Sequence, residues 1–325
     1  MSTSAAPSVV IVSPSLAQAN NGNWRTAYRW SRFLGGHCRT RIVTEWTGEP
    51  CDLLIALHAR RSAASLARHA AETPDAPRVL VLTGTDLYRD LPFDESARRS
   101  IQLASRLVVL QEAAVGQLPE DRRPHCVVIY QSAPRLAPAP TPRQRLRVVQ
   151  VGHLRDEKDP LTFMLAAQRL GDRSDIRFEQ IGEALDEMQR IAAQACAQTQ
   201  PNYRWLGGMA HHLVRQRMRR AQVLVNSSRM EGGAQVIVEA VQCGTAVLAS
   251  RVDGNVGMLG AGYDGYFELG DDVALARLIE RCRDEPTFLA HLRGQGQQRS
   301  SLFEPDEERR HVLHLVHSLL SPFSR

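Results

Sequence analysis

Short β-rich runs alternate with helical stretches along this sequence, and a proline-rich segment, Ser132–Arg147, interrupts the alternation once. Strand, helix and strand in repetition predict a parallel sheet with right-handed crossovers. Trp24–Leu34 illustrates the helical stretches, because its apolar residues recur at helical spacing after Asn23, a predicted N-cap. The predicted strands are Ser8–Ser13, Asp52–Leu57, Arg78–Leu82, Leu107–Leu110 and Cys126–Ile129, then Arg147–Val151, Ile176–Ile181, Val223–Asn226 and Thr245–Ala249.

The proline-rich segment has the composition of an extended, stiff linker, so it predicts a domain boundary. A length of 325 residues also favours two domains over one. The predicted domains are 1–140 and 141–300, followed by an amphipathic C-terminal helix at 301–325. The predicted fold class is therefore α/β, with two doubly wound Rossmann-like domains that face each other across a cleft.

Composition excludes several classes of function. No apolar run approaches the roughly 18 residues of a membrane span, and no basic region precedes the first apolar stretch as in a secretory signal. Six separated cysteines without a C-x-x-C pair predict reduced thiols, a cytoplasmic protein and no metal site. The net charge is only +5, with arginines interleaved among acids, so a nucleic-acid partner is not expected.

The loops that follow the predicted strands have the composition of anion-binding sites. Ligands bind outside the carboxyl ends of the strands in open parallel sheets, so these loops contain the candidate site residues. They are rich in glycine, small hydroxyls and arginine, and one of them carries Lys158, the only lysine among 40 Lys and Arg residues. The loops are 20–23, 58–61, 83–86, 152–158, the loop at Gly182, 227–233 and 250–257.

The most informative segment is Asn226–Ala240, in which a strand ends, a loop carries Glu231, and Gly232-Gly233 opens a helix that contains Glu239. Two glycines at a helix N-terminus let phosphate oxygens approach free backbone N–H groups and the positive end of the helix dipole. Glu239 is placed for the hydroxyl pair of a ribose, and Glu231 for those of a second sugar. A simple turn with a capping glutamate explains the spacing equally well.

Glu231 and Glu239 resemble the E-x7-E signature of retaining GT-B glycosyltransferases, and of glycosyltransferase family 4 in particular. Val148–Lys158 is similar to that family's strand and its G-R-L-x-x-E-K loop, whose cations hold the nucleotide diphosphate. Lys158 matches the family lysine, whereas His153 stands where arginine is usual, and Arg155 is the alternative source of that charge. The resemblance implies a donor site formed by Gly22, Gly152, His153, Arg155, Lys158, Gly182, Glu231, Gly232, Gly233, Ala234 and Glu239.

A narrower resemblance extends over both predicted domains, to the selenosugar synthases of selenoneine biosynthesis. It is carried by the blocks 20–27, 57–62, 82–90, 152–160, 228–234 and 254–260. It implies transfer of the sugar of a UDP-sugar, such as UDP-N-acetylglucosamine or UDP-glucose, to selenophosphate, with release of UDP. The N-terminal domain would then present the acceptor, and the second domain would bind the donor.

The acceptor-binding residues expected from this assignment are Asn21, Arg25, His58, Arg60, Arg61, Thr83 and Thr85, and the expected catalytic residues are Glu231, His58 and Lys158. His58 is as well explained as an ordinary loop histidine, and Asp86 somewhat better as a helix N-cap. An acceptor that is already an anion needs no base. Arg25, Arg60 and Arg61 are therefore interpreted as residues that bind the anion and not as proton carriers.

Two other enzyme classes fit the sequence. One is a glycosyltransferase with a hydroxyl acceptor, for which His58 or Asp86 would serve as base, and the other is a UDP-sugar epimerase on the same fold. The chain contains no D-x-D pair, which argues against a divalent cation at the diphosphate. No cofactor is expected, and the helix dipole, glycine amides, Lys158 and an arginine would stabilise the leaving UDP.

Overall fold

The computed structural model describes residues 6–15, 22–137, 139–140 and 144–320. Asn21, one of the expected acceptor residues, lies outside these ranges. The described chain divides into two compact units, 1–131 with 305–325 and 132–304. No described helix combines the length and hydropathy that a membrane-spanning helix needs.

Among the described residues, six parallel strands form the sheet of the first unit, in the order β2-β1-β3-β4-β5-β6. Helices on both faces leave the central strands without solvent contact, and every residue of Leu53–Leu57 is buried. The strands are β1 Ser8–Val12, β2 Arg39–Val43, β3 Leu53–Leu57, β4 Arg78–Val81, β5 Arg106–Val109 and β6 Cys126–Val128, and the helices are α1 Gly22–Leu34, α2 Ala63–Glu72 and α3 Glu95–Leu103.

The second unit repeats this architecture, with six described parallel strands in the order β12-β11-β10-β7-β8-β9. Its strands are β7 Leu146–Val151, β8 Ile176–Ile181, β9 Tyr203–Trp205, β10 Val223–Asn226, β11 Ala246–Ser250 and β12 Tyr266–Phe267. Its helices are α4 Pro160–Arg169, α5 Glu187–Thr199, α6 His211–Met218, α7 Gln235–Gln242, α8 Asp253–Leu259, α9 Asp272–Asp284 and α10 Pro286–Arg299.

The last helix, α11 (Pro305–Leu320), belongs to the first unit. Its apolar side packs in the same core as Trp30 and Leu34 of α1. Glu308 of α11 is fully buried and accepts hydrogen bonds from the Arg29 guanidinium at 2.6 and 2.9 Å and from the Trp30 indole at 2.9 Å. The sequence prediction treated 301–325 as a separate segment, whereas here this helix completes the core of the first unit.

The proline-rich segment is not the linker between two units that its composition suggests, because it is part of the second unit. The division between the units falls at Gln131 and Ser132, before this segment, and not after residue 140. Its backbone bonds to the second unit, for example from the Ala133 N–H to the Phe303 carbonyl and from the Leu136 N–H to the Gln242 carbonyl. Extended backbone next to a folded surface needs hydrogen-bond partners, and this segment finds them along the second unit.

Candidate functional site

In the second unit, the loops after β7 and β8 contact each other through two glycines. Gly152 and Gly182 both have positive φ angles, 155° and 151°. A Cβ built at Gly182 would lie 1.9 Å from the Gly152 carbonyl oxygen, so only glycine permits this approach. The contact holds the loop after β7, which carries Lys158 and is the predicted diphosphate loop, against the loop after β8.

Lys158 and Glu231, which the sequence placed in one donor site, form an ion pair. Lys158 Nζ lies 2.6 Å from Glu231 Oε1, and the two side chains are 22% and 10% exposed. The same carboxylate oxygen accepts from the Ser228 hydroxyl at 2.6 Å and from the Asn226 amide at 3.4 Å. Burial alone would raise the pKa of Glu231, but the Lys158 ammonium and these hydrogen bonds together lower it. Glu231 is therefore held as a carboxylate.

The residue after this lysine, Asp159, has a strained left-handed backbone with φ 43°. Its buried side chain accepts a hydrogen bond from the Thr162 hydroxyl at 2.6 Å and pairs with Arg229 at 3.4 Å. The Ser227 hydroxyl also bonds to the Asp159 carbonyl. These contacts hold the strained turn in which Lys158 points to Glu231.

Glu239 lies on α7, which begins at Gln235 directly after Gly232, Gly233 and Ala234. The Glu239 side chain is buried, and its Oε1 lies 2.7 Å from Nε2 of His211, the first residue of α6. The sequence prediction missed His211, because no local pattern connects a helix-start histidine with a glutamate on a later helix. Here the two side chains form a pair beside the predicted phosphate-binding helix end.

The two alternative sources of the missing loop cation differ in their surroundings. His153 is half-buried, and its Nδ1 is a buried atom without a hydrogen-bond partner in the described part of the chain. Arg155 is 41% exposed and lies 3.8 Å from Glu157. A buried polar atom without a partner is uncommon in native proteins and marks His153 as a candidate ligand contact.

In the first unit, the loops after β3 and β4 are tied together by Asp86 and His58. The Asp86 carboxylate is fully buried and accepts from the backbone N–H groups of Ala59, Thr83 and Gly84 at 2.8–2.9 Å. His58 Nε2 lies 3.1 Å from the Thr85 hydroxyl. The expected acceptor residues of these two loops therefore lie together.

His58 is buried and has a left-handed backbone, with φ 74°. Its Nδ1 accepts from the Arg61 backbone N–H at 3.4 Å, so the neutral ring carries its proton on Nε2, which faces the Thr85 hydroxyl. Burial lowers the pKa of His58. Asp86 and Asp90 oppose this shift of the pKa, and Arg61 and Arg60 add to it. His58 is thus a neutral ring with both nitrogens engaged.

The other expected residues of this unit lie at the start of α1. Gly22 is its first residue and is exposed, and its carbonyl accepts from the Thr26 hydroxyl at 3.0 Å. Arg25 is half-buried on the first turn of the helix.

Comparison with known proteins identifies the family and the fold of the chain. The family model for glycosyl transferases group 1 matches residues 137–299. No curated protein matches the chain in sequence. HepE from Anabaena, solved in complex with UDP and glucose, superimposes with a TM-score of 0.75 at 16% identity, over 96% of this chain and 100% of that chain.

Two further solved structures have the same fold. Sucrose-phosphate synthase from Thermosynechococcus elongatus gives a TM-score of 0.74 at 16% identity, over 97% of this chain and 99% of that chain. A variant of TarM from S. aureus gives 0.65 at 14% identity, over 83% of this chain and 55% of that chain. The predicted α/β fold class with two parallel sheets is confirmed as GT-B. The chain belongs to the glycosyl transferases group 1 family.

Proposed function

We propose that this glycosyltransferase uses a UDP-sugar as donor and an anionic acceptor, selenophosphate. Selenium attacks the anomeric carbon, the C–Se bond forms, and the bond from that carbon to the UDP oxygen breaks with its electron pair leaving on UDP. Hydrolysis of the Se–P bond by water then gives the selenosugar and phosphate. The selenophosphate acceptor rests on the resemblance of the sequence to selenosugar synthases.

The donor side of the proposal is supported by the second unit. Lys158 offers a cation and the start of α7 offers backbone N–H groups, which suit a diphosphate, while the Gly152–Gly182 contact holds the Lys158 loop in place. Glu231 and Glu239 supply carboxylates for sugar hydroxyls. HepE, which has the same fold, was solved with UDP and glucose.

The acceptor side of the proposal is carried by one observation: the two candidate bases of the first unit are already engaged. Asp86 accepts three backbone N–H groups, and both ring nitrogens of His58 have partners. A hydroxyl acceptor must lose a proton during the transfer, whereas selenophosphate is already an anion and loses none. The arginines Arg60 and Arg61 on the same loop suit such an acceptor.

The test is UDP release from UDP-N-acetylglucosamine and UDP-glucose with selenophosphate, with inorganic phosphate, with a panel of hydroxyl compounds, and without acceptor. We expect release to depend on selenophosphate and the product to show the selenium isotope pattern in mass spectrometry. Transfer to a neutral hydroxyl compound without any response to selenophosphate would refute the acceptor. A change of the sugar without acceptor would instead indicate an epimerase.

Replacing Glu239 and replacing Glu231 with glutamine should affect different kinetic properties. Glu239→Gln is expected to weaken UDP affinity about tenfold, since a hydrogen bond to a charged group contributes roughly 1.5–3 kcal/mol. Glu231→Gln is expected to lower kcat and alter the choice of sugar, with UDP affinity near that of the wild type. Calorimetry with UDP and steady-state kinetics measure the two effects, and wild-type kinetics in both variants would contradict the assignment.

A further inference from the structure

Asp90, which no part of the proposed function uses, brings two arginines together beside the acceptor loops. Arg60 Nε donates to Asp90 Oδ2 at 2.8 Å, and Arg89 Nε donates to Asp90 Oδ1 at 3.2 Å. The Asp90 side chain is 7% exposed, whereas the side chains of Arg60 and Arg89 are 42% and 43% exposed. A buried carboxylate thus holds two half-exposed cations, one on each of its oxygens.

The position of Asp90 is itself fixed by the two loops. It ends a π-helical turn, Asp86–Asp90, whose first residue binds the backbone of both loops. His58 Nε2 lies 3.9 Å from Asp90 Oδ2. The strained backbone of His58 immediately precedes Ala59 and Arg60, so the same turn that buries His58 brings Arg60 to Asp90. Strain of this kind persists only where surrounding contacts require it, and it concentrates at functional sites.

We propose that Arg60 and Arg89 form an oxyanion clamp that binds the acceptor, and that Asp90 is the positioning residue that sets the spacing of the two guanidiniums. This inference rests on the proposed function for the identity of the acceptor. It assigns Arg89 and Asp90, which the sequence did not single out, to the acceptor site.

The chemistry of the cluster suits a tetrahedral oxyanion. A guanidinium carries five N–H donors in a planar fork, and Arg60 donates one of them, at Nε, to Asp90. Arg61 adds a third exposed cation on the same loop. The Ser96 hydroxyl and the Ala97 N–H lower the pKa of the exposed Asp94, and Arg60 adds to this shift, so Asp94 also faces the cluster. Asp86 is already satisfied by backbone N–H groups. Asp90 is therefore the carboxylate that Arg60 and Arg89 share.

The clamp is tested by the apparent KM values for acceptor and donor in single variants. Arg60→Ala and Arg89→Ala should each raise the KM for selenophosphate at least tenfold and leave the KM for the UDP-sugar unchanged. Asp90→Asn should raise the same KM with both arginines present, and Asp90→Glu should restore part of the affinity. Arg310→Ala, which removes an exposed arginine paired with Glu307 on α11, is the matched control and should change neither KM.

The outcomes separate the clamp from the proposed function. If the wild type uses selenophosphate and the Arg60 and Arg89 variants keep its KM, the clamp is wrong and the function stands. If selenophosphate does not react, titration of inorganic phosphate into the protein by calorimetry still tests the clamp. Phosphate binding that is lost in both arginine variants supports it, and absent or unchanged binding refutes it. Both arginines are half-exposed, so these variants are expected to fold even if Asp90→Asn does not.

Discussion

Replacing Lys158 with alanine is expected to lower both UDP affinity and stability. The cation that suits the diphosphate is lost, which should weaken UDP binding by about 1.5–3 kcal/mol. The Glu231 carboxylate also loses the ammonium that lies 2.6 Å away while remaining 10% exposed. Removing one partner of a buried ion pair costs about 3–5 kcal/mol, and we expect the lower end because Lys158 is partly exposed. Calorimetry with UDP and urea unfolding measure the two losses.

The pH dependence of stability should change sign in this variant. In the wild type the pKa of Glu231 is lowered, so its stabilisation is complete above the ordinary glutamate pKa and is lost as pH falls through the folded-state value. Without the ammonium, burial raises that pKa, and the variant should become more stable as pH falls. Equal slopes in the two proteins would show that the pair does not form in solution.

A double variant tests whether the lost stability comes from the unpaired charge of Glu231. When Lys158→Ala is combined with Glu231→Gln, neither charge of the pair remains, so the double variant should recover most of the lost stability but not the UDP affinity. Lys158→Arg keeps the charge, yet a planar fork fits the position of a point charge poorly, and an intermediate UDP affinity is expected. A double variant as unstable as the single one would contradict the ion-pair explanation.

Gly254→Ala is expected to reduce turnover about a hundredfold. Gly254 lies on α8, and a Cβ there would be 2.0 Å from the Glu231 carbonyl oxygen, a backbone atom that has no flexible way to move aside. Asn226 and Asn255 hold α8 against this loop through a 2.8 Å hydrogen bond. The added methyl group must therefore displace Glu231, and a shift of about 1 Å in a catalytic group costs about a hundredfold in rate. Stability should fall by about 1–3 kcal/mol.

Gly262→Ala is the matched control, because a Cβ at Gly262 meets nothing within 4 Å. It should leave kcat and the free energy of unfolding near the wild-type values. A kcat of Gly254→Ala close to that of the wild type would mean that α8 moves away without carrying Glu231 with it.

The strands that the sequence failed to predict, β2, β9 and β12, lie at edges of the sheets, although the edge strand β6 was predicted. β2 is Arg-Thr-Arg-Ile-Val, with partly or fully exposed residues throughout, and it pairs only with β1. An edge strand of this kind lacks the apolar run that marks a buried strand. The central strands β3 and β10 are buried at every residue and were predicted at nearly their observed bounds.

The sequence indicated several residues that the structure brings together, but it did not indicate which side chains would contact one another. Lys158 and Glu231 both follow strands of a parallel sheet, which places them at the same edge of that sheet, and the resemblance to family 4 glycosyltransferases suggested that they share a donor site. Their ion pair, and the hydrogen bond between Glu239 and His211, join residues far apart in sequence, and no local spacing encodes them. The left-handed backbone of His58 was equally hidden, because non-glycine residues rarely adopt it.

The return of α11 to the first unit makes that unit discontinuous in the chain. During synthesis the second unit is complete once residue 304 has emerged, whereas the first unit still lacks Val312, Leu315 and Val316, which share its core with Trp30. N-terminal domains ordinarily fold first as a chain is made. Here the first unit keeps part of its apolar core uncovered until α11 has been made, although the second unit is already complete.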